Sequence, residues 1–268
     1  MKLLPENSTE LIVRRTGAVI SLEINRPEKR NSLSPDVLRS IVRALEKLKK
    51  DDSARCVVLS GRGGKAFSSG YDFSFVAPGD ITRDYGRKKH PLAAACDAVE
   101  NFPRPVLALV RGYAVGGGLE LAAACDLIIC SDDSKFSMPP SKLGIAYPFS
   151  GLRRIARAVG IAGAKRMFFG AETFTAQEAF QAGLVSEVTS PSALEDTVYA
   201  LARKIAEGAP LSIQASKQGL NILAKSSKPS AKDSTSLRAM FEKVCESADF
   251  KEGMKSVAEK RKPVFKGR

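Results

Sequence analysis

The sequence predicts an α/β fold, because short apolar strands alternate with amphipathic or alanine-rich helices along much of the chain. Two kinds of strand carry this prediction. Ile20, Leu22 and Ile24 alternate with polar residues, as in a strand with one buried face. Three later runs are apolar throughout and are typical of strands covered on both faces; they are residues 56–59, 106–110 and 127–130.

The helices follow from their end signals. Ser34, Pro35 and Asp36 supply a capping hydroxyl, a proline for the first helical position and an early acid, so a helix of about four turns begins there. A second helix begins at the three glycines of residues 116–118. After about residue 151 the pattern is mostly helical, with a capping box at Thr175 and Glu178 and no strand from about residue 190 onward.

Composition restricts the functional classes. The 268 residues hold 42 Lys and Arg against 29 Asp and Glu, a formal net charge of +13. Nucleic acid, an anionic surface or a polyanionic small molecule would each suit this balance. The basic residues lack the aromatic interleaving of single-strand binders, so a solvated basic surface is favoured and nucleic acid is not the expected partner.

No stretch approaches the roughly 20 apolar residues that a bilayer span requires, and no signal peptide is visible. We expect a cytoplasmic protein with no membrane partner. The five cysteines include no C-x-x-C pair and are expected to be buried thiols of a reducing compartment. The single histidine, His90, indicates an exposed loop or a helix start. Ser-His-Asp catalysis and a multi-histidine zinc site are therefore disfavoured, and no metal site is predicted.

Glycine loops follow several strands but do not match nucleotide cradles. Residues 61–66 (GRGGKA) and 112–118 (GYAVGGG) lack the spacing of a P-loop and of G-x-G-x-x-G. Glycines also expose backbone N–H groups, here at Gly70–Tyr71 and at Gly117, where a helix begins. Two converging N–H donors form an oxyanion hole, which stabilises the charge of an enolate. The alternative is that these glycines only permit close helix–strand packing.

Four segments together resemble the enoyl-CoA hydratase/isomerase family, the crotonase superfamily. They are residues 25–33 (NRPEKRNSL), 65–72 (KAFSSGYD), 112–121 (GYAVGGGLEL) and 259–265 (EKRKPVF), in the family's order over essentially the whole chain. The resemblance implies a spiral of ββα units over residues 1–195 that holds the CoA-thioester site. It also implies a C-terminal helical oligomerisation region over residues 196–268, in a homotrimer or a dimer of trimers.

The resemblance further implies a coenzyme A thioester as substrate, with no separate cofactor. Its carbonyl would lie between the N–H groups of Tyr71 and Gly117. Residues that would contact the CoA moiety lie in two loops and, from a neighbouring subunit, near the C-terminus; they are Lys29, Arg30, Ser32, Ser69, Gly70, Asp72, Phe241 and Lys260.

The reaction depends on acids near this thioester. Glu120 lies one helical turn after Gly117, on nearly the same face, and is the candidate acid–base. Family hydratases pair this glutamate with a second one, but Pro140 stands at the matching place. Residues 143–151 (LGIAYPFSG) instead resemble the methylmalonyl-CoA decarboxylase branch, in which a tyrosine matching Tyr147 contacts the departing carboxylate.

Three hypotheses follow. The preferred one is a lyase that decarboxylates a short 2-carboxyacyl-CoA through an enolate, because this step needs an oxyanion hole and no general base. The second is an enoyl-CoA hydratase or isomerase that uses Glu120 as its sole acid–base. The third is an RNA-binding homologue, which the net charge of +13 favours and an intact Gly117–Glu120 pair disfavours.

Overall fold

The computed structural model describes residues 2–3, 9–75, 90–225 and 229–268, with only the backbone for the first pair. A seven-stranded sheet forms its centre. The pairs β1–β2 and β2–β3 are antiparallel, and every other pair in this sheet, from β3–β4 onward, is parallel. The spatial order is β1 (Lys2–Leu3), β2 (Leu11–Thr16), β3 (Val19–Ile24), β4 (Cys56–Gly61), β6 (Val106–Val110), β8 (Leu127–Ser131) and β11 (Glu187–Thr189).

A second sheet is built from four strands of three residues each. In spatial order these are β10 (Thr173–Thr175), β9 (Lys135–Ser137), β7 (Tyr113–Val115) and β5 (Ala66–Ser68). Each of β5, β7 and β9 follows a strand of the larger sheet, so the chain steps from one sheet to the other and back. The sequence β6–β7–helix, repeated as β8–β9–helix, agrees with the ββα units that the resemblance implies.

The helices surround the two sheets and form the C-terminal part. Their bounds are α1 (Pro35–Leu48), α2 (Pro91–Glu100), α3 (Gly117–Ala123), α4 (Phe149–Gly170), α5 (Ala176–Gln181), α6 (Leu194–Ala206), α7 (Pro210–Leu223), α8 (Ala231–Glu246) and α9 (Ala248–Ala258). Within the described ranges, none of them combines the length and the apolar character needed to cross a membrane.

The predicted helix signals are confirmed. The Ser34 hydroxyl accepts a hydrogen bond from the Val37 N–H at 3.1 Å at the start of α1. Thr175 and Glu178 form a reciprocal capping box at the start of α5. The glycines at residues 116–118 begin α3, as predicted.

Two sequence predictions need correction, and one group of strands was missed. Strand β3 is buried on both faces, because α6 covers the sheet on the side away from α1 and packs near Val19. The short strands β5, β7, β9 and β10 were not predicted, since three residues are too few to show a period. The cysteines are all free, but only four are buried; Cys245 on α8 is exposed.

The core has two parts, one on each face of the larger sheet. The larger part contains the inner faces of both sheets together with α1, α2 and α3. The smaller part joins the opposite face to α6 through Val58, Leu107, Leu194 and Val198. The predicted domain division at residue 195 therefore falls in the first turn of α6, a helix packed on the sheet.

Candidate active site

A cavity of about 440 Å³ lies where four segments meet. Its wall is formed by residues 69–73, α2 with its N-cap, the start of α3 and the segment between β9 and α4. Most lining side chains are apolar, among them Leu92, Met138 and Ile145. Such a cavity with few polar groups is typical of a small-molecule site.

The predicted pair Tyr71 and Gly117 lies side by side in this wall. Gly70, at φ 100°, allows the approach, because a Cβ there would lie 2.8 Å from the Val115 carbonyl oxygen. A Cβ at Gly117 would lie 3.2 Å from the Tyr71 amide nitrogen. The N–H of Gly117 is the first of α3 and has no partner within that helix. The backbone of Leu33 holds this loop on either side of Tyr71. Its N–H donates to the Gly70 carbonyl, and its carbonyl accepts from the Asp72 N–H.

Glu120 is buried on α3, with 1% of its surface exposed, and lines the same cavity. Both oxygens of its carboxylate accept hydrogen bonds. Oε2 accepts from the Tyr147 hydroxyl at 2.7 Å, and Oε1 accepts from Arg154 Nη1 at 2.8 Å. The candidate acid–base is therefore fixed in position and partly neutralised by a cation.

Arg154, which the sequence analysis missed, is the centre of a buried ionic cluster. Its fully buried guanidinium binds Glu120, donates from Nε to Glu100 at 3.2 Å, and pairs through Nη2 with Asp97. Burial alone would lower the pKa of Arg154, but the acidic groups around it, Cys96 and Glu120 foremost, raise that pKa. Arg154 therefore remains charged and gives Glu120 a permanent counter-ion.

Tyr147, the tyrosine singled out in the sequence, binds the Glu120 oxygen that Arg154 does not bind. Burial raises the pKa of its hydroxyl well above the ordinary value, and the Glu120 charge adds to the effect, so the hydroxyl stays protonated. Gly151 makes room for this pair. A Cβ at Gly151 would overlap the Tyr147 ring and lie 3.1 Å from Glu120 Cδ.

The acids of the cavity differ from those of a two-glutamate hydratase. Pro140, where the family resemblance predicts the place of a second glutamate, is buried and lines the cavity. Asp97, on α2, is a second carboxylate in the wall and was not predicted. It is paired with Arg154, as is Glu120. One arginine thus neutralises both of the carboxylates that line the cavity within the described part of the chain.

His90 begins α2, as one of the two predicted alternatives has it, and it also lines the cavity, where the sequence analysis did not expect it. Its Nδ1 accepts from the Leu92 N–H at 3.2 Å and caps α2. Its ring centroid is 4.8 Å from that of Tyr71. The reason is the packing of α2, whose first turn lies against the loop of residues 69–73.

The predicted CoA-contacting residues fall into two groups. Ser69 and Gly70 line the cavity, and the turn of Lys29 and Arg30 lies beside them, since the Ser69 N–H donates to the Arg30 carbonyl at 3.0 Å. Phe241 on α8 and Lys260 after α9 are exposed and do not line this cavity. Their contribution from a neighbouring subunit stays a prediction.

Ser32 and Asp72, the remaining predicted contacts, belong to a second buried cluster around Arg26. Its Nη2 lies 2.8 Å from Asp72 Oδ2, and its Nη1 donates to the Ser32 carbonyl at 2.7 Å. Glu10 binds its Nε at 2.9 Å. Burial would raise the pKa of Asp72, but hydrogen bonds from Ser74 and Arg26 lower it to about 2. Asp72 is thus an ionised part of the loop that carries Tyr71.

A sequence signal for Arg154 existed. It lies three residues after Gly151 and next to Ile155, on the apolar side of α4, where a solvated arginine would not be expected. The partners of this arginine are 34 to 57 residues away in the chain, so its role could not be inferred from local pattern.

Comparison with known proteins agrees with this architecture. The family model described as enoyl-CoA hydratase/isomerase matches residues 14–268. The 2,3-dehydroadipyl-CoA hydratase of Escherichia coli (strain K12) is 35% identical over 262 residues, 97% of this chain and 100% of that protein. The methylmalonyl-CoA decarboxylase of the same strain is 33% identical over 250 residues, 93% of this chain and 95% of that protein.

The fold comparison gives the same result. The crystal structure of an enoyl-CoA hydratase/carnithine racemase from Magnetospirillum magneticum superposes with a TM-score of 0.88 and 30% identity, over 98% of this chain and 97% of that one. Sequence motifs, fold and matched length all agree, so this chain belongs to the enoyl-CoA hydratase/isomerase family and has the crotonase fold.

Proposed function

We propose that this acyl-CoA enzyme decarboxylates a short 2-carboxyacyl-CoA, such as methylmalonyl-CoA. The observation that carries the proposal is the state of the acids in the cavity. Pro140 stands where the family resemblance predicts a second glutamate, and both oxygens of Glu120 already accept hydrogen bonds from Arg154 and Tyr147. Both oxygens of this carboxylate are thus occupied by protein donors, so a reaction that needs no general base is favoured.

The reaction uses the N–H groups of Tyr71 and Gly117. They would bind the thioester carbonyl oxygen while the bond between C2 and the carboxylate breaks. The electron pair of that bond forms the enolate and carbon dioxide leaves; C2 then takes a proton from a water molecule that enters after carbon dioxide has left. The negative charge develops on the oxygen between the two N–H groups, where one such donor is worth about 3 kcal/mol of barrier. The apolar wall excludes water from the carboxylate.

Tyr147 would contact the carboxylate that departs. In the structure its hydroxyl donates to Glu120, and on substrate binding it would turn to the substrate carboxylate. Arg154 would keep Glu120 neutralised during this exchange, because it binds the other oxygen. An ionised Glu120 would repel the carboxylate of an anionic substrate. The ion pair between Glu120 and Arg154 would reduce this repulsion.

The second candidate is hydration or isomerisation with Glu120 as acid–base. The 35% identity to a 2,3-dehydroadipyl-CoA hydratase and the burial of Glu120 beside Gly117 favour it. A water held by Glu120 would then add to an enoyl-CoA double bond.

Turnover of methylmalonyl-CoA and crotonyl-CoA, with products followed by mass, separates the candidates. We expect loss of carbon dioxide from methylmalonyl-CoA, retained within about tenfold in Glu120→Gln and lowered by a factor of about 100 in Tyr147→Phe. Tyr113→Phe is the matched control, because Tyr113 is half exposed and does not line the cavity. Water addition to crotonyl-CoA that disappears in Glu120→Gln, without decarboxylation, would overturn the proposal.

We also propose a homotrimer or a dimer of trimers in the cytoplasm, with no cofactor apart from the CoA of the substrate. Large apolar side chains on the C-terminal helices support the assembly: Phe241, Met254 and Val257 are each more than 60% exposed. Five free cysteines support a reducing compartment. Light scattering after size exclusion tests the assembly, and a monomer at micromolar concentration would contradict it.

A further inference from the structure

The direction of the Tyr71 N–H is set by the peptide group that it shares with Gly70. The Gly70 carbonyl accepts a hydrogen bond from the Leu33 N–H at 2.7 Å. In a trans peptide, a carbonyl and the N–H that follows it point in opposite directions. The Tyr71 N–H therefore points away from Leu33, and its nitrogen lies beside Gly117, where a Cβ would be 3.2 Å from it. The position of Leu33 thus decides how this peptide is oriented.

Gly70 needs such contacts, because it has no side chain to restrict its own backbone. Its φ of 100° is open to glycine and strained for other residues. The Gly70 N–H donates to the Ser68 hydroxyl at 3.1 Å, and its carbonyl is held by Leu33. The conformation of the loop is therefore imposed by two neighbours, the strand β5 before it and the turn that ends at Leu33.

Asn31 closes this turn two residues before Leu33. It is fully buried and has a left-handed backbone, at φ 55°, which asparagine tolerates better than most residues. Its N–H donates to the Arg26 carbonyl at 2.8 Å, and its Oδ1 accepts from the Arg26 N–H at 3.0 Å. Backbone and side chain of Asn31 thus both hold the turn of residues 26–31.

The side-chain amide of Asn31 also joins the turn to β5. Its Nδ2 donates to the Arg62 carbonyl at 2.9 Å, just after β4, and to the carbonyl of Ala66, the first residue of β5, at 2.7 Å. Two carbonyl oxygens require the NH2 side of the amide, so its orientation is fixed. Gly61 permits the approach, because a Cβ there would lie 2.7 Å from Nδ2.

We propose that Asn31 is a positioning residue for the N–H of Tyr71. Its amide holds the turn at the distance from β5 at which the Leu33 N–H reaches the Gly70 carbonyl, and this contact orients the next N–H toward the thioester oxygen. The inference rests on the proposed function for its use of the Tyr71 and Gly117 N–H groups. Hydration of an enoyl-CoA would use the same two groups.

Two substitutions separate the hydrogen bonds of Asn31 from its backbone conformation. Glycine adopts φ 55° without strain but removes every side-chain hydrogen bond. Aspartate has nearly the same size and keeps the acceptor for the Arg26 N–H, but it cannot donate to Arg62 and Ala66. A purely conformational role predicts that Asn31→Gly behaves like the wild type, whereas positioning by the amide predicts that both variants lose function.

The infrared carbonyl band of isotope-labelled propionyl-CoA reports on the oxyanion hole, because this thioester has no carboxylate to lose. Two N–H donors to its oxygen weaken the C=O bond and shift the band to lower frequency. We expect this shift in the wild type and a smaller one in Asn31→Gly and Asn31→Asp. For the reaction itself, kcat should fall by about tenfold or more in both variants with KM little changed.

Asn25→Asp is the matched control, since the Asn25 amide donates to the Thr9 carbonyl, at 2.9 Å, instead of to β5. It should keep the band shift of the wild type. Calorimetric binding of the propyl thioether of CoA, which has no carbonyl oxygen, should be unchanged in all variants and shows that each is folded. Lower stability alone does not move the carbonyl band of a folded protein with its ligand bound.

The outcomes distinguish this inference from the proposed reaction. A full band shift in both Asn31 variants would overturn the role of Asn31, whether or not the enzyme decarboxylates. A shift that depends on Asn31, in an enzyme that releases no carbon dioxide from methylmalonyl-CoA, would support the positioning and overturn the reaction. A wild type whose binding leaves the band unshifted would overturn both.

Discussion

Arg154 and Arg26 are both almost fully buried and each binds carboxylates, but they hold different kinds of group at the active site. Arg154, fully buried, binds Glu120, Asp97 and Glu100, and so fixes side chains of the cavity wall. Arg26, with 5% of its side chain exposed, binds Asp72 and Glu10. Asp72 is the neighbour of Tyr71, so this second cluster fixes a backbone N–H.

Under the proposed function, a buried cation serves the site in two ways without contacting the substrate. A side chain such as Glu120 needs a partner that sets both its position and its charge, and Arg154 provides both. A backbone N–H needs only a rigid loop, which Arg26 provides by joining the turn before α1 to the loop of residues 69–73. Substitution should therefore affect the two clusters differently.

The largest effect is expected from Arg154→Met. The change removes the cation and leaves Glu120, Glu100 and Asp97 near one another inside the protein, which should lower the free energy of unfolding by about 3–5 kcal/mol. Arg26→Met should lower it less, by about 2 kcal/mol, because Glu10 can reach solvent. Urea denaturation measures both.

Arg39→Met serves as the control for these two variants, since Arg39 is exposed and pairs with Asp36 along α1. Its free energy of unfolding should change by less than about 0.5 kcal/mol. An Arg154→Met protein as stable as this control would show that the buried carboxyls take up protons at no cost, and the role assigned to Arg154 would be wrong.

Local parts of this architecture could be predicted from sequence, and the pairings across the fold could not. Ser34 caps α1 through a contact three residues away, and Glu120 follows Gly117 by one turn, so both were visible in a short window. The partners of Glu120, by contrast, come from α4 and from the segment before it. Packing of α2 likewise brought Asp97 and His90 into a wall to which no local pattern assigned them.

An intermediate effect is expected from acid titration of the Arg26 cluster. The pKa of Asp72 is about 2 in the folded protein, against an ordinary value of 3.8. Its depressed pKa means that Asp72 stabilises the fold above about pH 4, and that this contribution is lost as the pH falls toward about 2. Asp72→Asn should lower stability at neutral pH and make the loss between pH 4 and pH 2 less steep.

Urea unfolding in a series of buffers between pH 2 and pH 7 measures this difference. Asp36→Asn is the matched control, because Asp36 is about 69% exposed and takes no part in either cluster. If Asp72→Asn followed the wild-type curve throughout, the Asp72–Arg26 pair would not contribute to the rigidity of the loop that carries Tyr71.

The smallest effect is expected from Ser32→Ala, which also decides between two roles for this residue. The Ser32 hydroxyl accepts from Arg26 Nη1 at 3.1 Å and donates to Asp72 at 3.3 Å, so its loss should lower the free energy of unfolding by about 1 kcal/mol.

The family resemblance also predicts that Ser32 contacts CoA. Such a contact binds ground state and transition state equally, so its loss raises KM and leaves kcat unchanged. A stability change without a change in KM would assign the hydroxyl to the Arg26 cluster alone. A raised KM at unchanged stability would instead place the CoA moiety against this turn, because only a direct contact affects binding without affecting the fold.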